Sequence, residues 1–322
     1  MKPLVPVVFA TDDNFAPYCC VSIASLIANR DPERAYAIYV LYDELSEEHR
    51  ANLCGMAADN VAVECIDVGG YVDQDLLYTH DWISIATYYR FFVADVLPQY
   101  DKLLYLDSDI AILGDVGRLY DIDIGDNWLG GVVIYRGSEY EKAQKVEYLK
   151  TLGMTPETYI NAGILSMNLK AFREHEVKEK CLRYIGEHRE LKWMDQDVLN
   201  AVCRGRIHEL PESWNMSQFY FEDDHRAGAD VSHVQLIHYL AGDKPWRVSY
   251  RMSHLYFYIH AQQTPYAQQL NRVFLDINRE GVTNARREVM NMAARADLGP
   301  RYFGRCLLLW LKAKAKKLLG KG

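Results

Sequence analysis

The stretch Lys102-Leu103-Leu104-Tyr105-Leu106-Asp107-Ser108-Asp109 joins a short apolar run to two carboxylates separated by one residue. A run of this length predicts a buried strand that carries both acids at its carboxyl end. Two carboxylates this close repel each other, and a hard cation between them would relieve the repulsion while binding an anionic ligand. The stretch therefore predicts a metal site, although solvated surface acids at the end of a strand would give the same local pattern.

Length and composition indicate an ordinary globular protein. The 322 residues are 49% hydrophobic and 25% charged, which argues against disordered and fibrous classes. The net charge of -8 argues against a nucleic-acid-binding protein, because such proteins usually present a basic face. Seven cysteines without a CxxC pair predict reduced and mostly buried thiols. With no signal segment at the start and no apolar run long enough to span a bilayer, we expect a cytoplasmic enzyme.

The order of the predicted elements is that of an α/β protein. Apolar runs over 5–10, 37–42 and 61–68 predict strands, and helical patterns over 18–28 and after Ser46 alternate with them. This alternation favours a mainly parallel, doubly wound sheet with helices on both faces. No GxGxxG or P-loop motif follows the first strand, so a phosphate would have to be held in another way, which favours the metal hypothesis.

Polar residues early in the chain are candidates for ligand binding. In an open α/β sheet the loop after the first strand opens onto the ligand crevice, so Asp12 and Asn14 could bind a base or a ribose. Capping of the following helix is the alternative for both residues. Arg90 lies in a helical pattern over 83–97 that leads to the strand before Asp107. Its guanidinium could bind the anionic ligand or the acids, or it could be a solvated or salt-bridged helix residue.

Two later motifs combine polar residues with the ends of predicted elements. Asn161 and Gly163 precede an apolar strand, where glycine allows close approach of a ligand and asparagine could bond a hydroxyl-rich one. Asp195, Gln196 and Asp197 precede a helical stretch. Asp195 could be the N-cap of that helix, whereas Gln196 and Asp197 are better explained by a functional role.

A third potential metal ligand ends another apolar run. His238 follows Val234-Gln235-Leu236-Ile237, and Lys244 comes six residues later. Two carboxylates and an imidazole suit a divalent transition metal, so Asp107, Asp109 and His238 could form one site. Lys244 would then be available to bind a phosphate.

Five motifs, in this order, resemble those of the family 8 retaining glycosyltransferases. They are Phe9-Ala10-Thr11-Asp12-Asp13-Asn14, Leu104-Tyr105-Leu106-Asp107-Ser108-Asp109, Asn161-Ala162-Gly163, Asp195-Gln196-Asp197, and His238 with Lys244-Pro245-Trp246. The resemblance covers about residues 5–250 and is strongest to bacterial lipopolysaccharide and lipooligosaccharide α-galactosyl- and α-glucosyltransferases. It implies a GT-A fold, a UDP-galactose or UDP-glucose donor, a saccharide or glycolipid acceptor, Mn²⁺ or Mg²⁺, and retention of anomeric configuration.

The resemblance also implies a role for each matching residue. The implied metal ligands are Asp107, Asp109 and His238. The residues implied to contact the UDP part of the donor are Ala10, Asp12, Asn14, Phe15, Ser108, Gly242 and Lys244. The residues implied to contact the donor sugar are Arg90, Asn161, Asp195 and Gln196. Phe15 stands where the family often has a tyrosine on the uracil, and Ala241 stands where the family has a glycine, with Gly242 one place later.

The predicted catalytic group is Gln196, Asp197 and Asp195. Charge develops on the β-phosphate as the glycosidic bond breaks, and a metal with Lys244 would stabilise it. A retaining reaction needs a nucleophile or a shielding group on the opposite face of an oxocarbenium-like centre, where we expect Gln196. Because an amide is a poor nucleophile, front-face attack with Gln196 as electrostatic support is an alternative, and Asp197 could orient it.

We expect a catalytic domain over 1–250 and a helical extension over 251–322. Seven of the 36 basic residues and none of the 44 acidic ones lie in 301–322. On a helix, one face there would carry Leu307, Leu308, Leu311, Ala315, Leu318 and Leu319, with Leu309 and Trp310 off it. Such a basic amphipathic helix could bind anionic lipid on the inner face of the cell membrane. An ordinary helix that packs its leucines on the domain is the alternative.

The predicted function is transfer of galactose or glucose from a UDP-sugar in lipopolysaccharide or other surface glycan synthesis. Two other nucleotide-sugar enzymes are alternatives, namely a glycogenin-like priming glucosyltransferase and a sugar nucleotidyltransferase. From a different class, the chain could be a non-catalytic nucleotide- or carbohydrate-binding module of the same fold.

Overall fold

Strands and helices alternate along most of the chain. The structure, a computed structural model, describes residues 2–72, 77–79, 84–133, 139–248 and 251–279. The strands are β1 (Leu4–Ala10), β2 (Ala35–Tyr42), β3 (Val61–Asp67), β4 (Lys102–Leu106), β5 (Ile110–Ile112), β6 (Leu129–Val133), β7 (Ile160–Asn168), β8 (Ile207–Glu209), β9 (Met216–Ser217) and β10 (Leu236–His238). The helices are α1 (Ala16–Asn29), α2 (Glu47–Cys54), α3 (Val93–Val96), α4 (Val116–Tyr120), α5 (Glu139–Thr151), α6 (Leu169–Glu174), α7 (Val177–Glu187), α8 (Met194–Val202), α9 (Gln218–Arg226) and α10 (His254–Ala261). Short 3₁₀ helices cover Ile85–Phe91, Pro156–Thr158 and Glu212–Trp214.

The main sheet has the strand order β3-β2-β1-β4-β7-β6-β8. β7 runs antiparallel to β4 and β6, whereas the remaining neighbours in the sheet are parallel. Strands that are covered on both faces read as continuous apolar runs, and the interior of β1 and all but the first residue of β4 are buried. The predicted mainly parallel α/β sheet is confirmed.

Each face of the main sheet has its own hydrophobic core. Successive side chains of a strand point to opposite faces. In β1, Val7 and Phe9 belong to a core completed by α1 and α10, and Val8 belongs to a second core completed by the 3₁₀ helix Ile85–Phe91 and α8. The predicted cover of helices on both faces is therefore confirmed.

A second sheet of three strands, in the order β5-β10-β9, was not anticipated from the sequence. β5 begins directly after Asp109, and β10 pairs with it antiparallel, so that His238 lies opposite Ile110. This pairing brings the end of β10 back to the carboxyl end of β4. His238 therefore reaches the two acids from a different sheet.

Several predicted boundaries differ from the structure. The helix predicted over 83–97 is a 3₁₀ helix, Ile85–Phe91, followed by the short α3. β7 already begins at Ile160, so Asn161 and Gly163 lie within it. The N-cap of α8 is Trp193, so the N-cap interpretation of Asp195 is wrong. The helix predicted after Ser46 is α2, and the Ser46 side chain caps it by accepting a hydrogen bond from the His49 amide at 3.4 Å.

The first residues after 250 pack on the part of the chain that precedes them. Phe257 of α10 is fully buried, and its ring lies 5.2 Å from that of Trp246, which itself stacks on Tyr18 of α1 at 3.6 Å. Residues 267–279 are also helical. The boundary at 250 stays a prediction, and the basic tail over 301–322 lies outside the described residues. Among the described helices, none has both the length and the apolar character needed to cross a bilayer.

Candidate functional site

Two adjoining cavities open where β1 and β4 end and β7 begins. The first is lined mainly by Ala10, Thr11, Asp12, Ser84, Tyr105 and Ser108. The second is lined mainly by Asn161, Gly163, Trp193, Asp195, Gln196, His238, Lys244 and Arg247. Both cavities share Phe15, Thr87, Arg90, Asp107 and Asp109. The structure thus gathers most of the predicted site residues into one continuous cleft.

Asp107, Asp109 and His238 form a cluster of metal-ligating groups, with one ligand atom of each within 4.8 Å of the others. The Nε2 atom of His238 lies 3.1 Å from Asp109 Oδ1 and 3.6 Å from Asp107 Oδ2. Its Nδ1 atom lies 2.9 Å from Asn215 Oδ1 and donates to it, so Nε2 is the nitrogen that faces the acids, where it can donate to Asp109 or, without its hydrogen, bind a metal ion. Asn215 was missed by the sequence reasoning.

The space beside this cluster depends on Gly163. A Cβ atom at this position would lie 2.3 Å from His238 Cε1 and 2.6 Å from Asp107 Oδ2, so any larger residue would displace both ligands. Two carboxylates with an imidazole nitrogen suit Mn²⁺, whereas Mg²⁺ prefers an all-oxygen set. The residues present therefore fit a divalent metal ion.

Each acid of the cluster is also paired with a buried cation. Arg90 Nη2 donates to Asp107 Oδ1 at 2.8 Å, and Lys244 Nζ donates to Asp109 Oδ2 and to the Tyr239 carbonyl. Burial alone would raise the pKa of Asp109, but Lys244 and His238 outweigh it and hold that pKa well below its usual range. Asp109 is therefore ionised and ready to bind a cation at neutral pH.

Arg90 is the centre of a buried polar network. Its guanidinium is 3% exposed and lies 3.0 Å from Asp195 Oδ2, while Nη1 donates to the Ala162 carbonyl. The solvated alternative for Arg90 is therefore wrong, and the salt-bridged one is confirmed. Burial raises the pKa of Asp195 to about 6, although Arg90 and a 2.5 Å hydrogen bond from Thr87 act in the opposite direction. Thr87 was also missed by the sequence reasoning.

Gln196 lies on the wall of the second cavity, and both the oxygen and the nitrogen of its side-chain amide are hydrogen-bonded. Its Oε1 accepts hydrogen bonds from Asn161 Nδ2 at 2.8 Å and from the Ala162 amide at 3.2 Å. Its Nε2 donates to the Tyr159 hydroxyl at 3.0 Å. Asp197, by contrast, is fully buried and lines neither cavity. The structure brings Gln196 and Asp195 to the cleft and leaves Asp197 behind it.

The residues expected to contact uridine and ribose are only partly brought together. Asp12 lines the first cavity, while its two oxygens accept from the Phe15 amide at 3.0 Å and from Ser84 Oγ at 2.7 Å. Ser108 Oγ donates to the Ala10 carbonyl at 2.6 Å. Asn14 is exposed and lines a neighbouring acidic cleft, and Gly242 is exposed and lines neither cavity.

Ala241, where the resemblance predicts a glycine, adopts a left-handed backbone with φ of 56°. This conformation costs a residue with a Cβ about 1–2 kcal/mol, whereas glycine loses about 0.4–1 kcal/mol through its larger unfolded-state entropy. We expect Ala241→Gly to raise the free energy of unfolding by about 0.5–1 kcal/mol in urea denaturation. Ala227 is also exposed but has φ of -73°, so Ala227→Gly should lower the free energy of unfolding. Equal changes in both variants would contradict the assignment of strain to Ala241.

The sequence matches the profile described as glycosyl transferase family 8 over residues 6–249. The chain belongs to this family. Lipopolysaccharide 1,3-galactosyltransferase of Salmonella typhimurium is 30% identical over 251 residues, which cover 74% of this chain and 72% of the relative. The family membership predicted from the five motifs is thereby confirmed.

Solved structures of glycosyltransferases have the same fold as this family 8 member. The galactosyltransferase LgtC, in complex with donor and acceptor sugar analogs, superposes with a TM-score of 0.67 at 26% identity, over 81% of this chain and 96% of LgtC. The bifunctional glycosyltransferase WbbM gives 0.70 at 25% identity over 85% of this chain. The chain spans about half of WbbM, 52% of its length. These similarities confirm the GT-A fold.

Proposed function

We propose that this family 8 glycosyltransferase transfers galactose or glucose from a UDP-sugar to a saccharide or glycolipid acceptor, with retention of configuration and with Mn²⁺. The observation that carries the proposal is one continuous cleft whose two cavities share Asp107 and Asp109, with His238 of the second cavity beside these acids. The similarity to a lipopolysaccharide galactosyltransferase supports a role in the synthesis of lipopolysaccharide or another surface glycan. The cytoplasmic location, on the inner face of the membrane, stays a prediction from the sequence.

The two cavities suit the two halves of a nucleotide sugar. The first is bounded by Phe15, whose ring offers a stacking surface for a base, and by the polar groups of Asp12 and Ser108. The second has the amides of Asn161 and Gln196, which suit the hydroxyl groups of a hexose. A diphosphate that joins the halves would pass the acids at the shared boundary.

Asp107, Asp109 and His238 would hold the metal, which supplies Lewis-acid stabilisation of the leaving diphosphate when bound. Lys244 neutralises Asp109 in the structure and lines the second cavity. If Asp109 served as a metal ligand, the Lys244 ammonium group would be available to bind the diphosphate. The leaving group would then be stabilised by charge, without a proton donor.

The hydrogen bonds of Gln196 favour front-face attack over a covalent intermediate. Its Oε1 already accepts two hydrogen bonds, from Asn161 and the Ala162 amide, which occupy both lone pairs. An amide oxygen in this state is a weak nucleophile. We propose that Gln196 supports the reacting sugar electrostatically.

The first test is release of UDP from a panel of nucleotide sugars without acceptor, with Mn²⁺, with Mg²⁺ and with a chelator. We expect Mn²⁺-stimulated release from UDP-galactose or UDP-glucose. A ladder of hexose additions to the protein itself would support a priming enzyme instead, and pyrophosphate release would support a nucleotidyltransferase. UDP binding in calorimetry without any turnover would overturn the proposal in favour of a binding module.

A further inference from the structure

We propose that Tyr159 is a positioning residue that fixes the side-chain amide of Gln196, and that Asp197 acts through Tyr159 and not on the substrate. The inference rests on the proposed function, because the rate it concerns is that of hexosyl transfer. Tyr159 matches none of the family motifs found in the sequence. It lies at the entry to β7, one residue before the strand starts, and is 1% exposed.

Asp197 determines which hydrogen bonds the Tyr159 hydroxyl donates and which it accepts. A carboxylate only accepts hydrogen bonds, so the Tyr159 hydroxyl must donate its hydrogen to Asp197 Oδ1. Its oxygen is then left as an acceptor, and it receives Gln196 Nε2 at 3.0 Å. Burial and the neighbouring Asp197 raise the pKa of Tyr159 well above its ordinary value, so the hydroxyl keeps its hydrogen throughout the neutral range.

This arrangement allows one orientation of the Gln196 amide. The Ala162 amide, at 3.2 Å, and Asn161 Nδ2, at 2.8 Å, both donate on the other side, so the oxygen must face them. A flipped amide would leave its oxygen facing the Tyr159 oxygen and its NH₂ facing two donors. These groups are at least partly buried, so each one left without a partner is costly, and the Ala162 amide, Asn161 Nδ2 and the Tyr159 oxygen would lose theirs at once.

Asp197 is placed to anchor this system and not to react. It is 0% exposed, and its second oxygen accepts from the Tyr148 hydroxyl at 2.6 Å and from the Trp193 amide at 2.9 Å. The hydrogen bond from the Trp193 amide holds the first turn of α8 in place. This turn starts with Met194 in a left-handed conformation, with φ of 37°. Backbone strain of this kind persists only where the surroundings hold it. Asp197 therefore fixes both the backbone and the side chain of Gln196.

Tyr148 provides a matched control for Tyr159. Both hydroxyls donate to Asp197, but only Tyr159 contacts Gln196. We expect Tyr159→Phe to lower kcat for UDP-hexose turnover about 10- to 100-fold with donor KM nearly unchanged, because a small misplacement of a reacting group has effects of this size. Tyr148→Phe should change kcat less than about threefold, the ordinary effect of losing one peripheral hydrogen bond.

Two further measurements separate positioning from a general loss of structure. Because Tyr159 is inferred to act through Gln196, Tyr159→Phe should have no further effect on kcat in a Gln196→Ala background. Independently of turnover, the side-chain NH₂ signals of Gln196 in ¹⁵N NMR, assigned with Gln196→Ala, should be slow to exchange in the wild type and in Tyr148→Phe, but fast in Tyr159→Phe.

The outcomes distinguish this inference from the proposed function. If the wild type turns over no UDP-hexose, the proposed function fails, and the NMR signals alone decide whether Tyr159 holds the amide. Equal loss of kcat in both tyrosine variants, additive effects with Gln196→Ala, or Gln196 signals that are unchanged in Tyr159→Phe would each overturn the positioning role.

Discussion

Asp109→Asn is expected to abolish metal-stimulated release of UDP from a UDP-hexose, with a loss of about 10³-fold or more, since a bound metal contributes several kcal/mol of charge stabilisation. Asp109 is the one acid of the cluster that contacts both His238 and Lys244. Asparagine has the same shape and can still accept a hydrogen bond from Lys244, so the fold should be retained. What it lacks is the negative charge that a divalent cation needs.

The expected result is measured as UDP release against Mn²⁺ concentration, with Mn²⁺ binding followed separately by calorimetry. Asp121→Asn is the control, because that carboxylate is also paired with a cation, Arg34, but lies outside both cavities. The control should keep both Mn²⁺ binding and turnover. Undiminished metal-dependent turnover in Asp109→Asn would contradict the assignment of Asp109 as a metal ligand.

The sequence was most informative where strands end. β1 and β4 are parallel neighbours, so Asp12 and the acids after β4 lie at the same edge of the sheet. The apolar run before each acid was long enough to be read as a strand. This part of the site could be predicted because one local pattern indicates both the strand and the polar residues that follow it.

Contacts made through short or irregular elements could not be predicted. β10 has three residues, too few to show a period, and nothing in its sequence indicates a separate sheet. Asn215 lies between Trp214 and Met216, where a buried polar residue has no local signal of its role. Thr87 lies three residues before Arg90 on the same side of its helix, but a threonine there is ordinary, and only the folded structure shows its hydroxyl bonded to Asp195.

Tyr159 and Asp197 show a second limit of local patterns. A tyrosine at the entry to a strand is ordinary in a β-sheet protein, and only the contacts with Gln196 and Asp197 give it a role. Asp197 was identified because it adjoins Gln196 in the motif. The sequence could not reveal that its side chain points away from the cleft.

Arg90→Met is expected to lower the free energy of unfolding by about 3–5 kcal/mol, because it leaves Asp195 and Asp107 without their shared cation. Asp195 is nearly fully buried, and its 3.0 Å contact with Arg90 is the only ion pair that the structure gives it among the described residues. Arg90→Lys should cost less, since it keeps the charge, but one ammonium group cannot replace the guanidinium bonds to Asp107, Asp195 and the Ala162 carbonyl. Urea denaturation of the wild type, Arg90→Lys and Arg90→Met should give free energies of unfolding that decrease in this order.

The pH dependence of the Arg90→Met effect tests its cause. Burial already raises the pKa of Asp195 to about 6, and loss of Arg90 removes a neighbour that lowers it. A carboxyl group with a raised folded-state pKa costs stability fully above that pKa, where it must ionise while buried, and the cost declines as the pH falls from that pKa toward the unfolded-state pKa. The difference between Arg90→Met and wild type therefore lies between the folded-state pKa values of Asp195 in the two proteins. The deficit of Arg90→Met relative to wild type should therefore shrink between about pH 7.5 and about pH 5. A deficit of the same size at both ends would mean that lost packing, and not the uncompensated carboxylates, explains the destabilisation.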